Sequence, residues 1–197
     1  MIDNIAKKMV IWQIKKDYLS KKNEKLFIYA YGLLIGQLIN AIVTCILAII
    51  FHSYLIVLVF LISFIPLRIY AGGYHARTYD MCTLASTVLI CIVCLITKII
   101  PHNILIEFNL TVGVISGVLI FSLAPIEDYN KPLEYVEKEC YKKRSRAIWI
   151  IETMAWLICY CINAKSISLS ISFSHFVLAI MLCLGSIGNY RKRESQI

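Results

Sequence analysis

The sequence is poor in charge and poorest in acid. Only 16% of its 197 residues are Asp, Glu, Lys or Arg, and 12 acids stand against 20 bases. A soluble domain carries about a quarter charged residues, so a large water-facing surface is excluded. Four prolines and eight glycines leave no flexible linker or low-complexity tract, and no internal repeat appears, so the chain reads as one domain. It has no phosphate loop, no dinucleotide fingerprint and no Ser-centred nucleophile elbow, which removes the usual nucleotide-dependent and serine-hydrolase classes. The net charge of +8 comes with no RNA- or DNA-reading motif, so nucleic acid is not an expected partner.

What the chain has in quantity is apolar sequence. It is 59% hydrophobic with a mean hydropathy of +0.74, which defines an integral membrane protein. Six apolar runs, at 26–50, 54–71, 82–100, 104–124, 147–163 and 167–189, each approach or exceed the roughly 20 residues that span a bilayer as a helix. Before them, residues 1–25 hold seven lysines, with Ile2, Ile5, Met9, Trp12 and Leu19 on one helical arc, as expected of an interfacial helix. No small-residue cleavage site follows a short apolar core, which argues against a cleavable signal peptide. The predicted fold is thus all-α: a six-span membrane bundle over 26–189, preceded by an amphipathic segment (1–25) and followed by a basic tail (190–197).

Basic residues orient that bundle. Eighteen of them fall on one side of the alternating connections and two, Lys98 and Lys165, on the other. The positive-inside rule places both termini, the 68–82 connection and the charged 125–146 loop in the cytoplasm of a multi-pass cell-membrane protein. Eight cysteines do not form a disulfide framework on this reading. Cys45, Cys91, Cys94, Cys159, Cys161 and Cys183 lie in apolar runs, where cysteine acts as a small hydrophobe. Cys140 lies in the cytoplasmic loop. Cys91-x-x-Cys94 lacks a second pair of ligands, so no metal is expected, nor any other cofactor. Gly32-x-x-x-Gly36 and Gly113-x-x-x-Gly117 permit close helix approach. Packing within the chain is the first reading of these pairs, and a homodimer the second.

The chemically equipped stretch runs from Arg68 to Cys82. It sets a Gly72-Gly73 pair, His75, Asp80 and two arginines beside a cysteine at the threshold of the third span. Cysteine and histidine are the minimum for a thiolate nucleophile and its base, and a helix start favours an anion. Seven residues of continuous helix would separate His75 from Cys82 by about 10.5 Å along the axis, too far for proton transfer. The helix should therefore end near Ala71, Gly72-Gly73 should turn the chain, and a new helix should begin near Asp80. The alternative is a dimer in which His75 of one chain serves Cys82 of the other. Asp80 either orients His75 or, with Thr78, caps the new helix.

Arg68, Gly72-Gly73, His75-Ala76 and Cys82 resemble the signature of the AgrB family. So do Ala124-Pro125 with Lys131-Pro132-Leu133 downstream, the basic N-terminus and the span count. The resemblance implies a membrane cysteine endopeptidase that processes a quorum-sensing peptide precursor. In it Cys82 attacks the scissile carbonyl, His75 is the base, and the thioester passes to a Cys or Ser of the precursor to close a thiolactone or lactone.

Further residues are candidates for support or substrate binding. Arg68 and Glu152 are ionisable groups within predicted spans and could pair with each other, or Arg68 could clamp a carboxylate or the oxyanion. The basic run containing Lys142, Lys143 and Arg144 could attract the acidic tail that the resemblance implies for the precursor. Glu107 and Asn109, near the outer end of the fourth span, are expected to snorkel to the interface, and His175 carries no expected role. The rival reading is a non-enzymatic small transporter or peptide-export component that uses Arg68 and Glu152 as a polar pathway.

Overall fold

The structure, a computed structural model, describes residues 2–74, 78–99, 102–127 and 134–194. Among these are seven α-helices and no strand: α1 (Ile2–Lys15), α2 (Glu24–Ile50), α3 (Tyr54–Ala71), α4 (Tyr79–Ile99), α5 (His102–Leu123), α6 (Tyr135–Cys161) and α7 (Lys165–Glu194). Each of the six apolar runs lies on its own helix. Four helices are long and apolar enough to cross a membrane, at Lys21–Ile50, Tyr54–Ala71, Asp80–Ile99 and Lys165–Tyr190. The described apolar stretch of α5, Glu107–Leu123, is shorter, and the first three turns of α6 are charged. The described residues are therefore those of an all-helical, multi-pass membrane protein, and among them four of the six expected spans meet both criteria.

Residues 135–146 are not the charged loop that hydropathy suggests, and Cys140 is helical. Lys, Glu and Arg are good helix formers, and Glu134 and Glu137 form a capping box that satisfies backbone donors at the start of α6. Other helix ends follow local chemistry too. Asp17 and Asn163 adopt positive φ at the ends of α1 and α6, and the following residues donate back to Gln13 and Cys159, as in a Schellman cap.

The chain divides into two compact units. One comprises residues 1–52 and 76–92. In it α1 packs on α2, with Gln13 Nε2 donating to the Tyr31 hydroxyl at 2.7 Å. Ile2, Ala6 and Val10, four apart, are buried, whereas Ile5, Met9 and Trp12 are exposed. The expected single apolar arc is thus split, with Ile2 facing protein and the other three a separate surface. Gly32 and Gly36 are both buried on α2.

The second unit comprises residues 53–75 and 93–197, and α7 is its hub, packing on α3, α5 and α6. Leu67 and Ala71 of α3, Ile120 and Ala124 at the end of α5, and Leu178, Ala179 and Leu182 of α7 form its apolar core. Residues 168–175 of α7 are buried around their whole circumference. Four are serines, whose small size lets neighbouring helices close in. Ser168, Ser170 and Ser174 donate to carbonyls of α7 itself. Gly113 serves the same closeness, because a β-carbon there would lie 2.8 Å from the Trp156 ring.

Asn109 knits this packing together. Its amide donates to Ser168 Oγ at 3.0 Å, and its carbonyl oxygen accepts from Trp156 Nε1 at 3.0 Å and from Ser172 Oγ at 2.5 Å. It does not snorkel to an interface, as its place near a span end suggests. At 3% exposure it needs polar partners, and α6 and α7 provide them.

Candidate active site

The 68–82 stretch departs from helix where expected. Gly72 has φ +72° and Gly73 φ +106°, values that L side chains resist, and they end α3 at Ala71. Space demands glycine as well, since a β-carbon on Gly72 would sit 2.0 Å from the Ile126 carbonyl oxygen. The closeness arises because the backbone bonds to the segment after α5. Ile126 N–H donates to Ala71 at 2.9 Å, and Gly73 N–H donates to Ile126 at 3.3 Å. The chain then reaches α7, where Tyr74 N–H donates to the Met181 carbonyl at 2.9 Å. Arg68 Nη2 closes the arrangement from α3 by donating to the Tyr74 carbonyl. Asn189 Nδ2, further along α7, holds the Glu127 carbonyl at 2.8 Å. The chain ends of α3, α5 and α7 are thus tied into one backbone platform.

His75, with Ala76 and Arg77, lies outside the described residues, as does Lys131-Pro132-Leu133. The chain re-enters view at Thr78, which caps α4: its hydroxyl accepts from Met81 N–H at 3.3 Å, and its carbonyl accepts from Cys82 N–H at 3.1 Å. Cys82 therefore stands in the first turn of α4, exposed and free. Of the two expected capping residues, Thr78 is the cap. Asp80 is exposed in the first turn of α4. Among the described residues no cysteine is joined in a disulfide.

Glu152 does not meet Arg68. Its Oε2 lies 2.9 Å from His175 Nε2, joining α6 to α7 across an almost dry contact with side chains 12% and 4% exposed. Arg68 donates from Nη2 to the Tyr74 carbonyl instead. Sequence reading set His175 aside because it sits in an apolar run, 23 positions from its partner. Its only signal was that an ionisable residue inside a span needs a counterpart.

The basic face of α6 is partly engaged. Arg144 lies 5.4 Å from the Tyr70 ring centroid, and Tyr70 packs edge-on against Tyr141 at 5.7 Å. Lys142 reaches Glu139 at 3.8 Å, and Lys143 is exposed. Arg146 lies over the Phe121 ring at 4.5 Å. Tyr70 is a further neighbour of this face that carried no signal in the sequence.

Fold and site together define a multi-pass helical membrane protein with a glycine turn after α3 and an exposed cysteine in the first turn of α4. The chain matches the Accessory gene regulator B family over residues 2–182, and it belongs to that family. AgrB-like protein 2 of Clostridium perfringens (strain 13 / Type A) is 31% identical over 188 residues, covering 88% of this chain and 87% of that protein. An AgrB-like protein of C. perfringens (strain SM101 / Type A) is 30% identical, covering 87% and 86%. Accessory gene regulator protein B of Staphylococcus intermedius is 24% identical over 151 residues, covering 77% and 79%. No solved structure matches the chain.

Proposed function

We propose that this protein is a membrane cysteine endopeptidase that matures an autoinducer-type precursor peptide. The observation that carries the reading is the break between α3 and α4: a glycine turn pinned at Gly72-Gly73, then a newly capped helix with an exposed cysteine in its first turn. A reactive thiol needs access and a favourable helix start, and Cys82 has both. Membership of the accessory gene regulator B family supports the substrate class.

His75 takes the proton of Cys82 Sγ, and the sulfur attacks the scissile carbonyl carbon. The carbon–nitrogen bond breaks, the leaving amine takes the proton from His75, and a thioester remains on Cys82. A thiol or hydroxyl within the bound precursor then attacks the same carbonyl. The bond to Cys82 Sγ breaks, the attacking group's proton passes by way of His75 to Cys82, and a thiolactone or lactone closes. The acyl group stays activated throughout, so no nucleotide is required, but water must be kept out. The basic face of α6, with Lys142, Lys143 and Arg144, attracts the acidic tail of the precursor. The charge distribution supports an active site and both termini on the cytoplasmic side of the cell membrane, which requires an even number of crossings. A homodimer is compatible with this chemistry.

The test is co-expression with a tagged precursor. Cys82→Ala and His75→Ala should each insert normally and yield no shortened product on a blot. Processing at the wild-type level by Cys82→Ala would overturn the mechanism and favour a transporter or export component.

A further inference from the structure

Two arginines of α6 flank the buried Ser145, and each is laid on an aromatic ring of a different neighbour. Arg144 turns to Tyr70 of α3. Arg146 turns to α5, where its guanidinium carbon lies 4.5 Å from the Phe121 ring centroid. Phe121 packs in turn on Trp149, three residues further along α6, at 5.3 Å. The indole fits against α5 because residue 117 is glycine: a β-carbon there would already touch the ring at 3.4 Å. Arg146 Nε and Trp149 Nε1 are both buried without a hydrogen-bond partner, so ring packing fixes the two side chains.

Arg146 still carries a full positive charge, and no carboxylate among the described residues answers it. Those that pair do so with other groups: Glu127 with Lys138, Glu139 with Lys142, and Glu152 with His175. With Nε sealed against the rings, the two terminal nitrogens are the donors left for a partner from outside the chain. Such a fork suits two oxygens of one anion. The place in the sequence says which anion. Arg146 immediately precedes the apolar run 147–163, and tryptophan beside such a boundary marks headgroup depth. The anion in supply there is a lipid phosphate. In a zwitterionic lipid the headgroup's own ammonium offsets that phosphate, so an unanswered arginine favours a lipid of net negative charge.

We propose that Arg146, seated on Phe121 and Trp149, binds the phosphate of an anionic phospholipid at the seam of α5 and α6. Lys142, Lys143 and Arg144, assigned above to the precursor, take no part in it.

Trp149 is a built-in reporter. The full chain is reconstituted in phosphatidylcholine vesicles holding a minor share of phosphatidylglycerol, with bromine on the acyl chains of one lipid or the other. Quenching of Trp149 is the difference between each protein and its Trp149→Phe counterpart. One basic residue near the surface enriches an anionic lipid about fivefold, so brominated phosphatidylglycerol should quench Trp149 by about that factor more, mole for mole, than brominated phosphatidylcholine. Arg146→Gln should bring the ratio close to one. Lys143→Gln removes the same charge from an exposed position and should leave the ratio unchanged. Equal falls in the two variants would mean diffuse surface attraction and overturn the site. So would a ratio near one in the wild type, a result that needs no variant to fold. Inorganic phosphate or polyglutamate, added at matched ionic strength, should not lower the ratio. Displacement by the first would make the occupant a free phosphate and by the second an acidic peptide, and either overturns the lipid.

Discussion

Replacing Asn109 by leucine tests whether a polar hub locks α5, α6 and α7. The change conserves volume roughly and removes three side-chain hydrogen bonds, to Ser168, Ser172 and Trp156. The losses are unequal. Ser168 Oγ still has the Lys165 carbonyl at 3.1 Å, and Ser172 Oγ still has the backbone carbonyl of residue 109 at 3.2 Å. Trp156 Nε1 has no such fallback, and Trp156 is only 7% exposed. A hydrogen bond between membrane helices is worth about 0.6 kcal/mol on average, and an orphaned buried donor costs about 1–3 kcal/mol. Asn109→Leu should therefore destabilise by about 2–4 kcal/mol, with most of the cost located at the indole. Ser172→Ala should cost under about 1 kcal/mol, because Asn109 keeps its tryptophan. Trp156→Phe in the Asn109→Leu background should cost less than Trp156→Phe alone, because the orphaned N–H goes with the indole. SDS titration of the purified protein in bicelles, followed by circular dichroism, measures all four variants. A loss below about 0.5 kcal/mol for Asn109→Leu, or strict additivity in the cycle with Trp156, would refute the hub.

Two other perturbations discriminate sharply. Gly72→Ala should abolish precursor processing and reduce accumulation in the membrane, since the new β-carbon meets the Ile126 carbonyl and the backbone must keep φ +72°; a blot for product and for protein reads both, and normal processing would show that the platform yields. Glu152→Leu and His175→Leu should each cost roughly 3–5 kcal/mol by stranding a buried polar partner, and the double variant should recover much of that loss, whereas Arg68→Met combined with Glu152→Leu should show no such recovery.

Much of the helical plan can be read from hydropathy and glycine alone. The run at 54–71 coincides with α3 because Gly72-Gly73 both halts the helix and marks the turn. The start of α6 is invisible to the same reasoning, since Lys138 to Arg146 looks like loop to a hydropathy scale while being good helix to the backbone. Partners across helices are harder still. Asn109 finds Ser172 63 positions away, and Glu152 chooses His175 over Arg68, because bundle packing decides which polar faces meet. Gly185 gave no sign at all: one glycine in an apolar run is uninformative until the Gly73-Tyr74 backbone is seen resting on it.

The serine-rich stretch of α7 inverts the usual rule for residues at membrane depth. Elsewhere in a span, a change from serine to isoleucine moves toward the solvent's own chemistry and is well tolerated. At Ser168, Ser170, Ser172 and Ser174 no lipid is in reach, only neighbouring helices. A branched side chain would wedge those helices apart, while alanine or glycine would slip in. A saturation screen scored by surface abundance should therefore rank small residues above greasy ones at these four serines, and the reverse at the outward-facing Leu55, Leu58 and Ile62 of α3. At these four positions variant effects follow size before hydropathy, so a substitution that makes the span look more membrane-like on paper will be among the most damaging it can receive.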